Sequence, residues 1–160
     1  MPKTSSITIV TLLLFSCAVA AVGNAAEVTR LTPKNWDDFV PAGKEVDAIY
    51  GDYAIRNDVL TAIIAQPKQS RNANLTVRNV YGGVLDLTRN NDNNDQLSCF
   101  YPTNQRFTFT DEDAVKIQHN EDGTATLSFT SLKRADSVQA LLTYSLGNGD
   151  SGLTISTAYH

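Results

Sequence analysis

The stretch "TATLSFT", Thr124 to Thr130, alternates without a break: Ala125, Leu127 and Phe129 are apolar, and Thr124, Thr126, Ser128 and Thr130 are polar. Successive side chains of a strand point to opposite faces, so this period of two predicts a half-buried β-strand with the apolar set inward. "RFTFT" repeats the pattern, with Phe107 and Phe109 on one face and Arg106, Thr108 and Thr110 on the other. Between "VKIQH" and the opening stretch lies "NEDG", Asn120 to Gly123, whose residue types make a turn.

Working outward, the same grammar covers almost everything after Gly43. "DYAIR", "ND" and "VLTAIIAQ" read as a hairpin with Asn57-Asp58 at the turn, in positive-φ geometry. "LTVRNVY", "VLDLT" and "QLSCFY" follow as strands, broken by Gly82-Gly83 and by the run "NNDNND", Asn90 to Asp95. "SVQALLTYSL" and "LTISTAY" complete the set, separated by "GNGDSG". "LTPKNWDDFVP" carries the clearest helical signal, a short one. Thr32 is placed to cap, Pro33 to open the helix, Pro41 to end it, and Leu31 with Trp36 to form a hydrophobic staple. Short strands joined by turns, without a long amphipathic helix, predict an all-β, antiparallel β-sandwich with one short N-terminal helix. "GLTISTAYH" is still alternating at His160, so the sandwich is expected to be incomplete at its C-terminus and the chain to be the N-terminal part of a longer protein.

The first 25 residues read as an export signal. Lys3 is a basic n-region, Ile7 to Val22 is a mostly apolar stretch shorter than the roughly 20 residues a membrane span needs, and Gly23-Asn24-Ala25 offers a cleavage site. A retained anchor is one alternative. A lipoprotein box, "LFSC" with Cys17 acylated, is another, in which Phe15 fits poorly. Residues 26–160 then form one domain, exported to the periplasm or the exterior, with no membrane span left after signal removal. Losing Lys3 leaves 12 basic against 17 acidic side chains, so the formal charge moves from −4 to −5. That balance argues against nucleic acid and anionic membranes as partners. Only Cys99 remains in the exported part, which excludes an intrachain disulfide there.

The motifs of chemistry are sparse. His119 and His160 belong to no His-x-His pair, so no zinc-type site is expected, and no cofactor-binding fingerprint occurs. Cys99, flanked by Ser98 and Phe100, reads as a buried inert thiol, and Trp36 as a lid on the core rather than a sugar-stacking platform. The asparagine/aspartate run offers Asp92, Asn94 and Asp95 as oxygen ligands for Ca²⁺. It lacks the glycine that an EF-hand loop needs at its sixth position, and it reads as a long polar hairpin loop. The densest polar group is "SRNANLTVRN". Arg71, Asn72, Asn74, Arg78 and Asn79 there could hold a carboxylate or the hydroxyls of a small polar ligand or carbohydrate, with Asn74, Thr76 and Arg78 on one face of the strand. Asn74-Leu75-Thr76 is also a formal glycosylation sequon.

"GKEVDAIYGDYAIRNDVLTAIIAQP", "RNANLTVRNVYGGVLDLT" and "NDQLSCFYP" resemble the N-terminal β-rich region of large exported bacterial proteins of planctomycete type. Some of these carry a PHP-type metallohydrolase domain of the carbaryl-hydrolase-like kind further along. "YGGVLDLT" is also similar to the opening strands of mutarotase-like β-sandwiches. The first resemblance implies a metal-dependent hydrolase whose catalytic domain lies downstream. The second implies part of a carbohydrate-active enzyme. Neither supplies a catalytic residue here, because the His-x-His opening of a PHP site is absent and neither histidine matches a mutarotase motif. The expectation is an exported, non-catalytic β-sandwich domain with a scaffold or ligand-binding role. Cleavage after Ala25 predicts an exported chain that begins at Ala26, which intact-mass measurement checks; a mass that includes an acylated Cys17 or the whole leader would displace that expectation.

Overall fold

The computed structural model describes residues 25–41, 47–92, 97–103, 106–133 and 138–160. Among these residues eight strands form two four-stranded antiparallel sheets, each a simple meander. The first sheet holds β1 (Glu27–Arg30), β2 (Tyr53–Arg56), β3 (Leu60–Ile64) and β4 (Val84–Arg89). The second holds β5 (Val115–His119), β6 (Ala125–Thr130), β7 (Ala140–Leu146) and β8 (Thr154–Tyr159). Among the described residues one short helix, α1 (Trp36–Phe39), and a single 3-10 turn at Glu112–Ala114 complete the regular structure. Among the described residues no helix is long and apolar enough to cross a membrane.

Alternation in the sequence sets the packing. The inward residues of β6 and β7, from Ala125, Leu127 and Phe129 to Leu142, Tyr144 and Leu146, are all buried and meet Val28, Ile55, Ala62 and Ile64 of the first sheet. Phe129 stands edge-on to Tyr144 on its own sheet and to Tyr53 across the interface, with ring centroids 6.1 and 5.9 Å apart. Such T-shaped pairs place the positive ring edge against the negative face. Burial pushes the Tyr144 hydroxyl well above its usual range. It donates to the Gly82 carbonyl, so the one polar atom of this side chain in the core is satisfied.

β3 is buried on both faces along its whole length. Leu60, Ala62 and Ile64 face the sandwich core, whereas Ile63 and Ala65 join Leu31, Ala54, Val80 and Leu85 in a second apolar cluster on the outer side of the first sheet. That cluster is roofed by α1 and by the long connections, with Trp36, Ala48, Val77 and Tyr101 packed against it. A register shift between Ile63 and Ile64 on the β3–β4 ladder turns Leu85 toward this outer cluster. At the preceding turn Gly82 has φ +67°, and a Cβ on Gly83 would lie 2.8 Å from the Val80 carbonyl oxygen, so the glycine pair is required by the backbone.

Several expected elements take another form. The helix starts at Trp36, not after Thr32: residues 33–35 are a turn, and Asn35 spends its side chain on Thr32 N, Thr32 Oγ1, Thr29 Oγ1 and the Arg30 carbonyl. "RFTFT" is not a strand, although Phe109 is buried and Phe107 packs on the core from the side its alternation assigns. "QLSCFY" supplies only a single bridge, Phe100 to Val84. The β2–β3 hairpin forms, but without positive φ at Asn57 or Asp58. Asn57 Oδ1 instead accepts from Val59 N and Leu60 N, both at 2.9 Å, the local side-chain bond that gives asparagine its preference for turns.

The same buried side chain clasps the two sheets. Asn57 Nδ2 donates to the carbonyls of Gly147 (2.8 Å) and Asp150 (2.9 Å) in the β7–β8 turn. Asn57→Ala strips four hydrogen bonds from a buried position and is expected to lower unfolding free energy by about 1–3 kcal/mol. Urea unfolding measures this, and an unchanged midpoint would show the clasp to be unimportant.

Candidate functional site

The arginine/asparagine group proposed from sequence is not a strand but a loop closed on itself. Val80 N donates to the Arg71 carbonyl at 2.8 Å and Ala73 N to the Val77 carbonyl at 3.0 Å. Asn74 Oδ1 accepts from Thr76 N, Thr76 Oγ1 and Val77 N, each at 3.0 Å, and Asn72 Oδ1 accepts from Asn79 N at 3.0 Å. Arg78 Nε donates to the Leu75 carbonyl at 2.9 Å. Two amide side chains therefore occupy the main-chain donors that a ladder would use, and Asn79 takes a φ of +54°. Alternation across residues 74–79 has no strand to act on.

Arg71 has a different position altogether. Its side chain is 2 % exposed, and its guanidinium grips the fully buried Asp52 carboxylate through Nε (3.2 Å) and Nη2 (2.7 Å). Asp52 also accepts from Gln66 N and Ile49 N, both at 2.9 Å, while Arg71 donates onward to the carbonyls of Asp47 and Asn72. All these bonds lie inside the fold, so Arg71 is spent on holding three connections together. Arg71→Met leaves Asp52 as a buried charge without its counter-ion and is expected to cost about 3–5 kcal/mol. Arg78→Ala, on the exposed side of the same loop, should cost less than about 1 kcal/mol. Equal losses in chemical denaturation would contradict this division of roles.

An opening lies at the other end of the first sheet. Glu27, Arg56, Thr61 and Thr88 are register partners in sequence across β1, β2, β3 and β4, so they form one polar rung on the outer face. This rung lies along a cleft of about 620 Å³, walled by the α1 end (Asp38 and Phe39) on one side and by Arg89 to Asp92 on the other. Arg56 organises the near wall: Nε and Nη2 donate to Glu27 Oε1 at 3.2 and 2.9 Å, Nη1 donates to the Asp38 carbonyl, and the guanidinium lies 4.1 Å from the Phe39 ring centroid. The far wall is held by Asn90, whose Oδ1 accepts from Thr61 Oγ1 at 2.7 Å and whose Nδ2 donates to the Asn57 carbonyl at 2.9 Å.

The start of the asparagine/aspartate run therefore belongs to this cleft. Asn91 has φ +69°, Asp92 N donates to the Arg89 carbonyl at 3.1 Å, and the exposed Asp92 lines the wall. Asn94 and Asp95 lie outside the described residues. Among the described residues no three His, Cys, Asp or Glu side chains converge as metal ligands. The cleft carries the carboxylates of Glu27, Asp37, Asp38, Asp58 and Asp92 against two arginines, Arg56 and Arg89. Arg89 forms no ion pair with a described residue and is exposed.

The remaining candidates have structural positions. His119 Nε2 accepts from Val28 N at 3.1 Å, which ties the β5 end to β1, and His160 exchanges main-chain bonds with Gln139 at 2.9 Å. Burial pushes the Cys99 thiol up to about 11, so it stays protonated at neutral pH and is a poor nucleophile. Trp36 stands edge-on to Tyr50 at 5.1 Å and packs on the outer cluster. Sequence reasoning missed the polar rung because its residues come from four strands. No local pattern singles the four out: Glu27 opens β1, Arg56 ends β2, Thr61 is the second residue of β3 and Thr88 the fifth of β4. No family model, curated protein or solved structure matches this chain.

Proposed function

We propose that this chain is an exported, non-catalytic binding module, and that its ligand is a small neutral polar molecule of the carbohydrate class held in the cleft on the first sheet. The observation that carries the reading is the continuous rung Glu27–Arg56–Thr61–Thr88 along a cleft of about 620 Å³. That volume suits a ligand of a few sugar units, within the usual range of about 300–1,000 Å³ for small-molecule sites. Hydroxyl groups both donate and accept, and the walls offer both kinds of partner: carboxylates that accept, and the Arg89 guanidinium and exposed Asn91 amide that donate. An excess of carboxylates over arginines disfavours an anionic ligand, so neutral sugars are preferred to uronic acids. The Arg71 to Asn79 loop supports ligand binding less well, because its polar atoms are used internally.

Calorimetry and thermal shift against neutral and uronic oligosaccharides test the reading. A neutral member should bind, and Arg89→Ala or Asn91→Ala should weaken it at least about tenfold, equivalent to about 1.4 kcal/mol. The proposal fails if no member binds, or if binding survives both changes and is lost in Arg78→Ala.

A further inference from the structure

The turn between β7 and β8 helps to bind the two sheets together. Asp150 N donates to the Gly147 carbonyl at 3.3 Å, and Gly147 N donates to Asp150 Oδ2 at 2.8 Å. The carbonyls of the same two residues both receive Asn57 Nδ2, at 2.8 and 2.9 Å, from the β2–β3 turn of the other sheet. Between them stand Asn148 and Gly149, both exposed. Every other asparagine of the chain is followed by a residue with a side chain; Asn148 alone precedes a glycine.

That neighbour matters because an asparagine amide carbon can close a cyclic imide with the main-chain nitrogen of the next residue. A Cβ on the next residue hinders the closure, and glycine has none. The surroundings of Gly149 are open as well: a Cβ there would meet no described atom within 4 Å, and its φ is +72°. Asp122-Gly123, in the β5–β6 turn, has the same spacing but a poorer electrophile. The Thr124 main-chain N–H donates to Asp122 Oδ1 at 2.9 Å and holds its carboxyl below the usual range, and an ionised carboxylate resists attack.

We propose that Asn148 is a site of spontaneous covalent modification, deamidation with water as co-reactant, and that its isoaspartate product releases the clasp between the sheets. The Gly149 nitrogen attacks Asn148 Cγ. An N–Cγ bond forms, the Cγ–Nδ2 bond breaks, and ammonia leaves with the proton from Gly149 N. Water then opens the imide. Addition at Cγ breaks the new bond and gives aspartate in an unaltered main chain. Addition at the main-chain carbonyl carbon breaks the original peptide bond, frees the α-carboxylate and leaves the chain running through the side chain as isoaspartate. The main chain between Gly147 and Asp150 is then longer by a methylene, so their carbonyls no longer keep the spacing that one amide nitrogen spans, and Asn57 Nδ2 loses an acceptor in a part-buried position. Aspartate adds charge beside Asp150 but leaves both carbonyls in place. The release reaches beyond the turn, because Asn57 Oδ1 also accepts from Val59 N and Leu60 N, and its carbonyl from Asn90 Nδ2 on the cleft wall.

Incubation of the folded chain in mildly alkaline buffer, followed by peptide mass spectrometry and enzymatic methylation of isoaspartate, tests this. Asn148 should exchange NH for O before any other asparagine, mainly as isoaspartate, and faster as pH rises because Gly149 N must lose its proton. Gly149→Ala should slow the reaction at least about tenfold, equivalent to about 1.4 kcal/mol of barrier. Alanine is strained at that φ, so Asn148→Ser, which has no amide, is the second variant; its urea midpoint should not change through the same incubation. The separated isoaspartate form should unfold at lower urea, shifted towards Asn57→Ala, with faster hydrogen exchange at the Val59 and Leu60 amides, whereas Asn148→Asp should match the unchanged chain. Three results would each overturn the proposal: a folded chain that keeps Asn148 intact while the chain in urea loses it, another asparagine reacting first, or an isoaspartate form as stable as the starting protein.

Discussion

The buried Asp52–Arg71 pair is the constraint on which the outer half of this molecule depends. A carboxylate removed from water is costly unless every lone pair finds a donor. Here Asp52 receives two guanidinium nitrogens and the main-chain N–H groups of Ile49 and Gln66. Those four donors come from the segment before β2, the exit of β3 and the start of the 71–80 loop. One ion pair therefore fixes where three connections cross the first sheet. With the connections in place, Ile63, Ala65, Val80 and Leu85 have a roof, and β3 can be apolar on both faces without exposing surface.

A sheet with a roof over only part of its outer face must change character where the roof ends. Thr29, Ala54 and Ile63 occupy one rung, tied to Asn35 or packed in the outer cluster; the next rung is Glu27, Arg56, Thr61 and Thr88, and there the cleft opens. Arg56 bridges the two regions. Its guanidinium ties Glu27 to the α1 carbonyl of Asp38 and lies over Phe39, so the last turn of the roof also forms the wall of the cleft. The proposed binding site is a consequence of how far the outer cluster extends, not of a separate motif.

The two sheets are held together differently at different places. Aromatic and aliphatic packing fills the centre, Asn57 joins the β2–β3 and β7–β8 turns, and His119 with Gly123 closes the β1–β5 side.

Local pattern determined a good deal. Alternation in "TATLSFT" was sufficient for β6 and its inward residues Ala125, Leu127 and Phe129, because a period of two leaves only one way to bury the apolar set, and "VKIQH", "SVQALLTYSL" and "LTISTAY" were legible as strands though not their order in a sheet. The β2–β3 hairpin was legible from its Asn57-Asp58 turn, and β4 from the short apolar run "VLDLT". "LTVRNVY" misled because its alternation is as good as that of a real strand, yet Asn72 and Asn74 take its main-chain donors first. The role of Arg71 and the polar rung were not legible at all. A buried ion pair between residues 52 and 71, and a rung assembled from residues 27, 56, 61 and 88, exist only after strand pairing sets the register. Burial of a charge and alignment across four strands depend on distances between segments remote in the chain, and those distances belong to the tertiary structure alone.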